Sequence, residues 1–185
     1  MKKGYAMKIF IAGARKLTDL DQPVQERLYS IYQHEYDVLV GDCYGIDTSV
    51  QRFYAGLKYD RVTVFTSIGK ARNNVGNWTV RYVDGANLKG FELQRQKDIA
   101  MADEADYGFM IWDGMSKGTL SNIITLTALE KTTLVYLASK QAMTIIKDFT
   151  HLEKLLSVCP SETAALYNSI IRKTAKSESN QTTIF

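Results

Sequence analysis

Residues 107–119 read Y-G-F-M-I-W-D-G-M-S-K-G-T, and the join inside this stretch decides the fold. Residues 107–112 (YGFMIW) form an apolar run too short for a buried helix and rich in strand-forming types, so they read as a buried strand. Asp113 to Thr119 then interleaves glycine with small polar residues and opens into 120–129, where apolar residues keep helical spacing. A buried strand that turns on glycines into a helix is the repeating unit of parallel α/β sheets. Backbone N–H groups at such a helix start have no intrahelical acceptor, and the helix dipole adds partial positive charge, so anions are favoured there.

Working outward, the same alternation recurs. Residues 7–12 (MKIFIA) read as a strand that stops at Gly13-Ala14-Arg15. Asp19 or Asp21 caps a helix whose Val24, Leu28, Ile31 and Tyr32 share one face. Residues 37–40 (DVLV) form the next strand, 46–57 a helix with Val50, Phe53, Tyr54 and Leu57 on one side, and 61–65 (RVTVF) a third strand. A helix over 91–105 precedes the 107–112 strand, and 133–137 supplies a fifth. Residues 66–90 read as a long loop with a short strand at 78–83, and 161–173 as a last helix; residues 176–185 are a polar tail expected to be flexible. The expected architecture is one domain over residues 1–175. Its fold is a Rossmann-like three-layer α/β/α arrangement around a mainly parallel sheet of about five strands or more.

Ligands of open parallel sheets bind outside the carboxyl ends of the strands. That rule gathers Gly13-Ala14-Arg15, the 41–47 segment G-D-C-Y-G-I-D, Thr66-Ser67 and the 113–119 turn at one edge. In the turn, Gly114 and Gly118 permit close backbone approach, Ser116 and Thr119 supply hydroxyls, and Lys117 can neutralise a phosphate; equally, the turn can be a plain helix cap with a solvated lysine. Gly41, Asp42 and Gly45 shape the second turn, and Asp47 in the first turn of its helix either holds ribose hydroxyls or stabilises its own helix start. Arg15, Arg72, Arg95 and Lys97 are the cations that can reach this edge, with Ser67 and Asn122 as further polar contacts. Neither the GxxxxGK[ST] phosphate loop nor GxGxxG is present.

Bulk properties set bounds. Two cysteines far apart, Cys43 and Cys159, and two histidines, His34 and His151, give no metal-ligand spacing, so no metal and no cofactor are expected. No run reaches the ~18 apolar residues of a membrane span, and the chain is expected to be cytoplasmic. A net charge of +3 with no basic run neither demands nor forbids nucleic acid, and the lack of a basic stripe argues against it as a partner.

The segments 12–15 (AGAR), 41–47 (GDCYGID), 97–106 (KDIAMADEAD) and 112–119 (WDGMSKGT) together resemble the SLOG superfamily. That group includes lonely-guy-type phosphoribohydrolases, the DNA-processing protein A and YspA/YpsA-like proteins; the likeness spans about residues 8–137 and is nearest the YspA/YpsA-like branch. It implies a nucleotide, nucleoside or ADP-ribose-like small molecule as ligand, and a homodimer. In the phosphoribohydrolases a glutamate follows the glycine-rich motif, where this chain has Asn122, and Lys97 stands near the place of their arginine. An amide cannot act as general acid or base, so the resemblance points first to a nucleotide-binding, sensor-like protein. The alternative is an N-glycosidic-bond enzyme in which Asp47, Glu92, Asp98 or Asp113 replaces the lost glutamate, and a single-stranded DNA-binding protein ranks third.

Overall fold

The computed structural model describes residues 6–85 and 87–181, with side chains described as far as residue 173. Seven strands form one sheet: β1 (Lys8–Gly13), β2 (Asp37–Gly41), β3 (Val62–Thr66), β4 (Thr79–Tyr82), β5 (Tyr107–Trp112), β6 (Thr133–Leu137) and β7 (Ala142–Ile146). Their order is β4-β3-β2-β1-β5-β6-β7, all parallel except β7, which runs antiparallel to β6. The chain winds from β1 out to β4, then returns to add β5 on the other side of β1. The strand order therefore reverses between β1 and β5, which is where a crevice opens in sheets of this kind.

Helices cover both faces, completing a Rossmann-like three-layer fold. α1 (Gln22–Gln33) and α2 (Ile46–Gly56) pack Val24, Leu28, Ile31, Val50 and Tyr54 against Ile9, Ile11, Val38 and Val40 on one face. α3 (Gly90–Glu104), α4 (Lys117–Ala128), α5 (Phe149–Leu156) and α6 (Ser161–Gln181) cover the other, with Met101, Leu120, Leu152 and Ile170 on Phe10, Met110 and Trp112. Strands β1 and β5 bury residues on both sides, which is why they read as unbroken apolar runs. Each fully buried side chain of this size contributes about 1.5–3 kcal/mol.

The structure differs from the sequence reading in 138–160 and at the ends of two helices. β7 and α5 lie in 138–160, which carried no expected element. β7 is an edge strand with mixed exposure, and α5 is only two turns long, started by Asp148 accepting the His151 amide. The short strand expected at 78–83 is β4, whose four residues are all exposed. α4 begins at Lys117 rather than 120, so Lys117, Gly118 and Thr119 belong to the helix and not to the turn. α6 continues past 173 to Gln181, so residues 176–181 of the expected tail are helical, and 182–185 lie outside the described residues.

Candidate functional site

A cleft of about 470 Å³ opens at the reversal point between β1 and β5. One wall is the start of α4. Asp113 Oδ1 accepts the backbone N–H groups of Met115 (2.9 Å) and Ser116 (2.7 Å), which folds the turn back on itself. Gly114 takes φ +84°, a conformation that favours glycine, and its carbonyl accepts the Thr163 hydroxyl at 2.6 Å from the start of α6. The Ser116 hydroxyl donates to Thr119 Oγ1 at 2.7 Å instead of capping the helix. With the turn amides occupied by Asp113, the donors that face outward are those of the first helical turn, Lys117, Gly118 and Thr119. Lys117 Nζ stands 4.1 Å from the centre of the Phe91 ring, so cation and aromatic face meet across the cleft mouth.

α3 forms the opposite wall. Arg95 donates from Nη2 to Thr125 Oγ1 at 3.0 Å, while its Nη1 is buried and, among the described residues, is the one such side-chain atom without a hydrogen-bond partner. Lys97 lies four residues before Met101 on the core-facing stripe of α3 and is only 2% exposed. Its Nζ pairs with Asp98 Oδ1 at 2.6 Å. Burial opposes its charge, yet Asp98 and Asp47 outweigh burial and raise the lysine above its ordinary value.

The floor explains Gly41. A methyl group on that residue would stand 2.4 Å from Asp47 Oδ2 and 2.8 Å from Lys97 Nζ, so only glycine lets carboxylate and ammonium approach the end of β2. Asp47 Oδ2 accepts the Cys43 amide at 3.2 Å. Burial pushes the Asp47 carboxyl up, Lys97 pulls it down and Asp98 adds to the rise, leaving it at about 6. Burial, with Asp47 close by, also pushes the Cys43 thiol up, which suits a packed rather than a nucleophilic cysteine.

Beside the floor, Asp42 is fully buried and gripped by Arg72: Nη2 donates to Oδ1 at 2.7 Å, and Nε and the backbone N–H donate to Oδ2 at 3.1 Å each. Burial raises the Asp42 carboxyl, but the Arg72 hydrogen bonds and charge outweigh it and hold the group below its usual value. Arg72 Nη2 also donates to Gln94 Oε1 at 2.7 Å, tying the segment after β3 to α3.

The cleft thus collects Gly13, Arg15, Asp47, Arg95, Lys97 and Asp98 with Asp113, Ser116, Lys117, Gly118, Thr119 and Asn122. The other expected site residues stand behind it. Gly45 and Ala14 shape the start of α2, the Ala14 carbonyl accepting the Ile46 amide at 3.4 Å. Gly41, Asp42, Arg72 and Gly114 support the walls as described, and Ser67 Oγ accepts the Lys97 amide at 3.1 Å. Glu92 is exposed in the first turn of α3 and does not line the cleft. Sequence reasoning did not assign Ala12, Lys16, Cys43, Phe91, Gln94 or Met115 to the site, and all six line the cleft. For Phe91 a signal existed, an aromatic residue at a helix start within the ligand edge, but its meeting with Lys117 is a long-range contact.

Among the described residues no group of three His, Cys, Asp or Glu side chains could hold a metal ion, and no helix is long and apolar enough to cross a membrane. No family model matches the chain, and no curated protein does. Among solved structures, the chain is similar to DNA processing protein A from Helicobacter pylori, described for its single-stranded DNA binding mode. The TM-score is 0.56 at 13% identity, covering 90% of this chain and 81% of that one. At that identity the likeness shows the fold.

This finding overturns the expectation that nucleic acid is set aside and that the partner is a free small molecule. A chain of this fold binds single-stranded DNA. The expectation rested on the modest net charge and the lack of a basic stripe along the chain. Arg15, Lys16, Arg95, Lys97 and Lys117 come from separate stretches with no basic run between them, yet they line one cleft, together with Asp47, Asp98 and Asp113. The local field of a concave site depends on where charges are placed and not on their sum.

Proposed function

We propose that this protein binds single-stranded nucleic acid by seating one nucleotide unit of the strand in the cleft between β1 and β5. The observation that carries this reading is the convergence of Arg15, Lys16, Arg95 and Lys117 with the first-turn amides of α4 in one cleft. A phosphate fits: the first-turn amides of α4, Lys117 and Arg15 offer it donors and positive charge from the same cleft. Phe91, 37% exposed at the mouth, offers a face on which any base can stack. The volume is of the size that encloses one small ligand, which suits a single unit of a longer strand. The structural likeness to a single-stranded DNA-binding protein supports the reading. So does the convergence of the SLOG-like segments 12–15, 41–47, 97–106 and 112–119 around one cleft.

The test is fluorescence anisotropy with labelled oligonucleotides in single-stranded and duplex form. Single strands should bind with an affinity that falls as salt rises, and Arg95→Met and Lys117→Ala should each weaken binding about tenfold. Binding that survives both substitutions unchanged refutes this placement of the strand.

A second reading rests on Asp47, a cleft carboxyl that burial raises to about 6. A carboxyl titrating near neutrality suits a general acid, and protonation of the base is what N-glycosidic cleavage of the bound unit requires. Chromatographic detection of free base after incubation with oligonucleotide tests it; no base released by the wild-type protein removes the reading.

A further inference from the structure

Asp47 and Asn122 have no evident task in holding a phosphate. Asp47 is 5% exposed and Asn122 4% exposed, and both line the cleft. Asp47 spends Oδ2 on the Cys43 amide, and Oδ1 has no hydrogen-bond partner among the described residues. The side-chain amide of Asn122 likewise has none, although neither group is sealed from the cleft. An ionised carboxylate accepts and never donates, so what it recognises must be a donor. It also repels phosphate, which places the phosphate at the amide-rich end and leaves another part of the ligand over the floor.

The helix sets the spacing. Gly118 and Asn122 are four residues apart on one face of α4, so the Asn122 Cα lies about 6 Å further along the axis than that of Gly118, with its side chain tilted back toward the helix start. Nothing stands within 4 Å of where a Gly118 side chain would begin, so the space beside Gly118 is open. A phosphate on the first-turn amides therefore has its attached sugar directed over Asn122 and Asp47. The sugar's only strong donors are its hydroxyls, and within a strand the 2′-hydroxyl is the one left unesterified.

Resting on the reading of a strand-binding cleft, we infer that the floor selects ribose over deoxyribose: Asp47 Oδ1 accepts the 2′-hydroxyl proton and Asn122 donates to the same oxygen, so the preferred strand is RNA. A charge-assisted hydrogen bond of this kind discriminates by about tenfold to a hundredfold. The 2′-hydroxyl is the group by which proteins tell RNA from DNA at a given site.

The experiment varies the ligand first, so that no variant has to fold. Wild-type protein is titrated at pH 8 with uridine 12-mers carrying 2′-hydroxyl, 2′-hydrogen, 2′-fluoro or 2′-methoxy groups throughout. The 2′-hydroxyl strand should bind at least tenfold more tightly than each of the others. The 2′-fluoro strand is decisive, because it keeps an RNA-like sugar shape but cannot donate. Asp47→Asn and Asn122→Ala should then narrow the gap between 2′-hydroxyl and 2′-hydrogen strands to threefold or less. Equal binding of all four strands, or a 2′-fluoro strand as tight as RNA, overturns the inference and leaves strand binding standing. Binding of none of them overturns both.

Discussion

Exchanging Asp47 for asparagine turns the chemistry of the cleft floor into a stability measurement. Burial is the largest influence on this carboxyl, opposed by Lys97, and it leaves the group at about 6 against an ordinary 3.8. Ionising it in the folded protein then costs about 3 kcal/mol more than in the unfolded chain. Its folded value is raised, so below pH ~4 the acid is protonated in both states and the penalty is absent. Stability falls as pH rises from about 4 through 6, and above that the full penalty applies. Asparagine has the shape of the protonated acid, can still accept the Cys43 amide, and carries no charge. The variant should therefore match the wild type within about 0.5 kcal/mol at pH 4 and exceed its stability by about 2–3 kcal/mol at pH 8. Urea unfolding followed by tryptophan fluorescence reads this directly, since Trp112 is fully buried. With a urea slope of about 2 kcal/mol/M, the midpoint at pH 8 should rise by about 1 M or more. A variant less stable than the wild type at pH 8, or one whose advantage does not change with pH, refutes the picture of a buried, ionised floor. Gain of stability with loss of ligand binding is the usual signature of a residue kept for function.

Other substitutions probe the supports of the cleft. Arg72→Met strands the buried Asp42 carboxylate and should destabilise the protein by about 3–5 kcal/mol in the same assay, with much of the loss recovered in an Asp42→Asn background. Gly41→Ala forces a methyl group into Asp47 and Lys97 and should lower stability by about 1–3 kcal/mol, measured by thermal unfolding. Thr163→Val removes the buried hydroxyl that holds the Gly114 carbonyl; it should weaken oligonucleotide binding severalfold, and Thr163→Ser should restore it. The Asp42 carboxyl, held low by Arg72, contributes stability above pH ~4 that is lost as pH falls through its folded value. Acid titration of the Arg72→Met variant should show that acid-dependent loss diminished.

The sheet was largely legible because β1, β2, β3, β5 and β6 are short apolar runs, the first four ended by glycine or a small polar residue. β7 was not, since an edge strand with mixed exposure has no continuous apolar signal, and Gln141 before it turns through a left-handed conformation no glycine announces. The turn at 113–119 was found, but its division of labour was not. Asp113 looked like a catalytic acid, and it is the acceptor that organises the turn's own amides. Lys97 could not be read as buried, because a lysine on a helix is ordinarily solvated and its neutraliser, Asp98, is simply the next residue. The meeting of Lys117 with Phe91, and of Arg95 with Thr125, joins residues about 26–30 positions apart, beyond any local pattern. Summing charge along the chain hid, for the same reason, that Arg15, Lys16, Arg95 and Lys117 share one cleft.

The central claim is that a strand's phosphate lies on the first turn of α4 beside Arg95. Backbone amide and arginine side-chain NMR shifts of the labelled protein, recorded while a single-stranded oligonucleotide is added, test it most directly. The account predicts that the largest changes fall on the amides of Lys117, Gly118 and Thr119 and on the Arg95 side chain. Saturable binding whose largest changes fall elsewhere, for example along the exposed β4 edge, would contradict it.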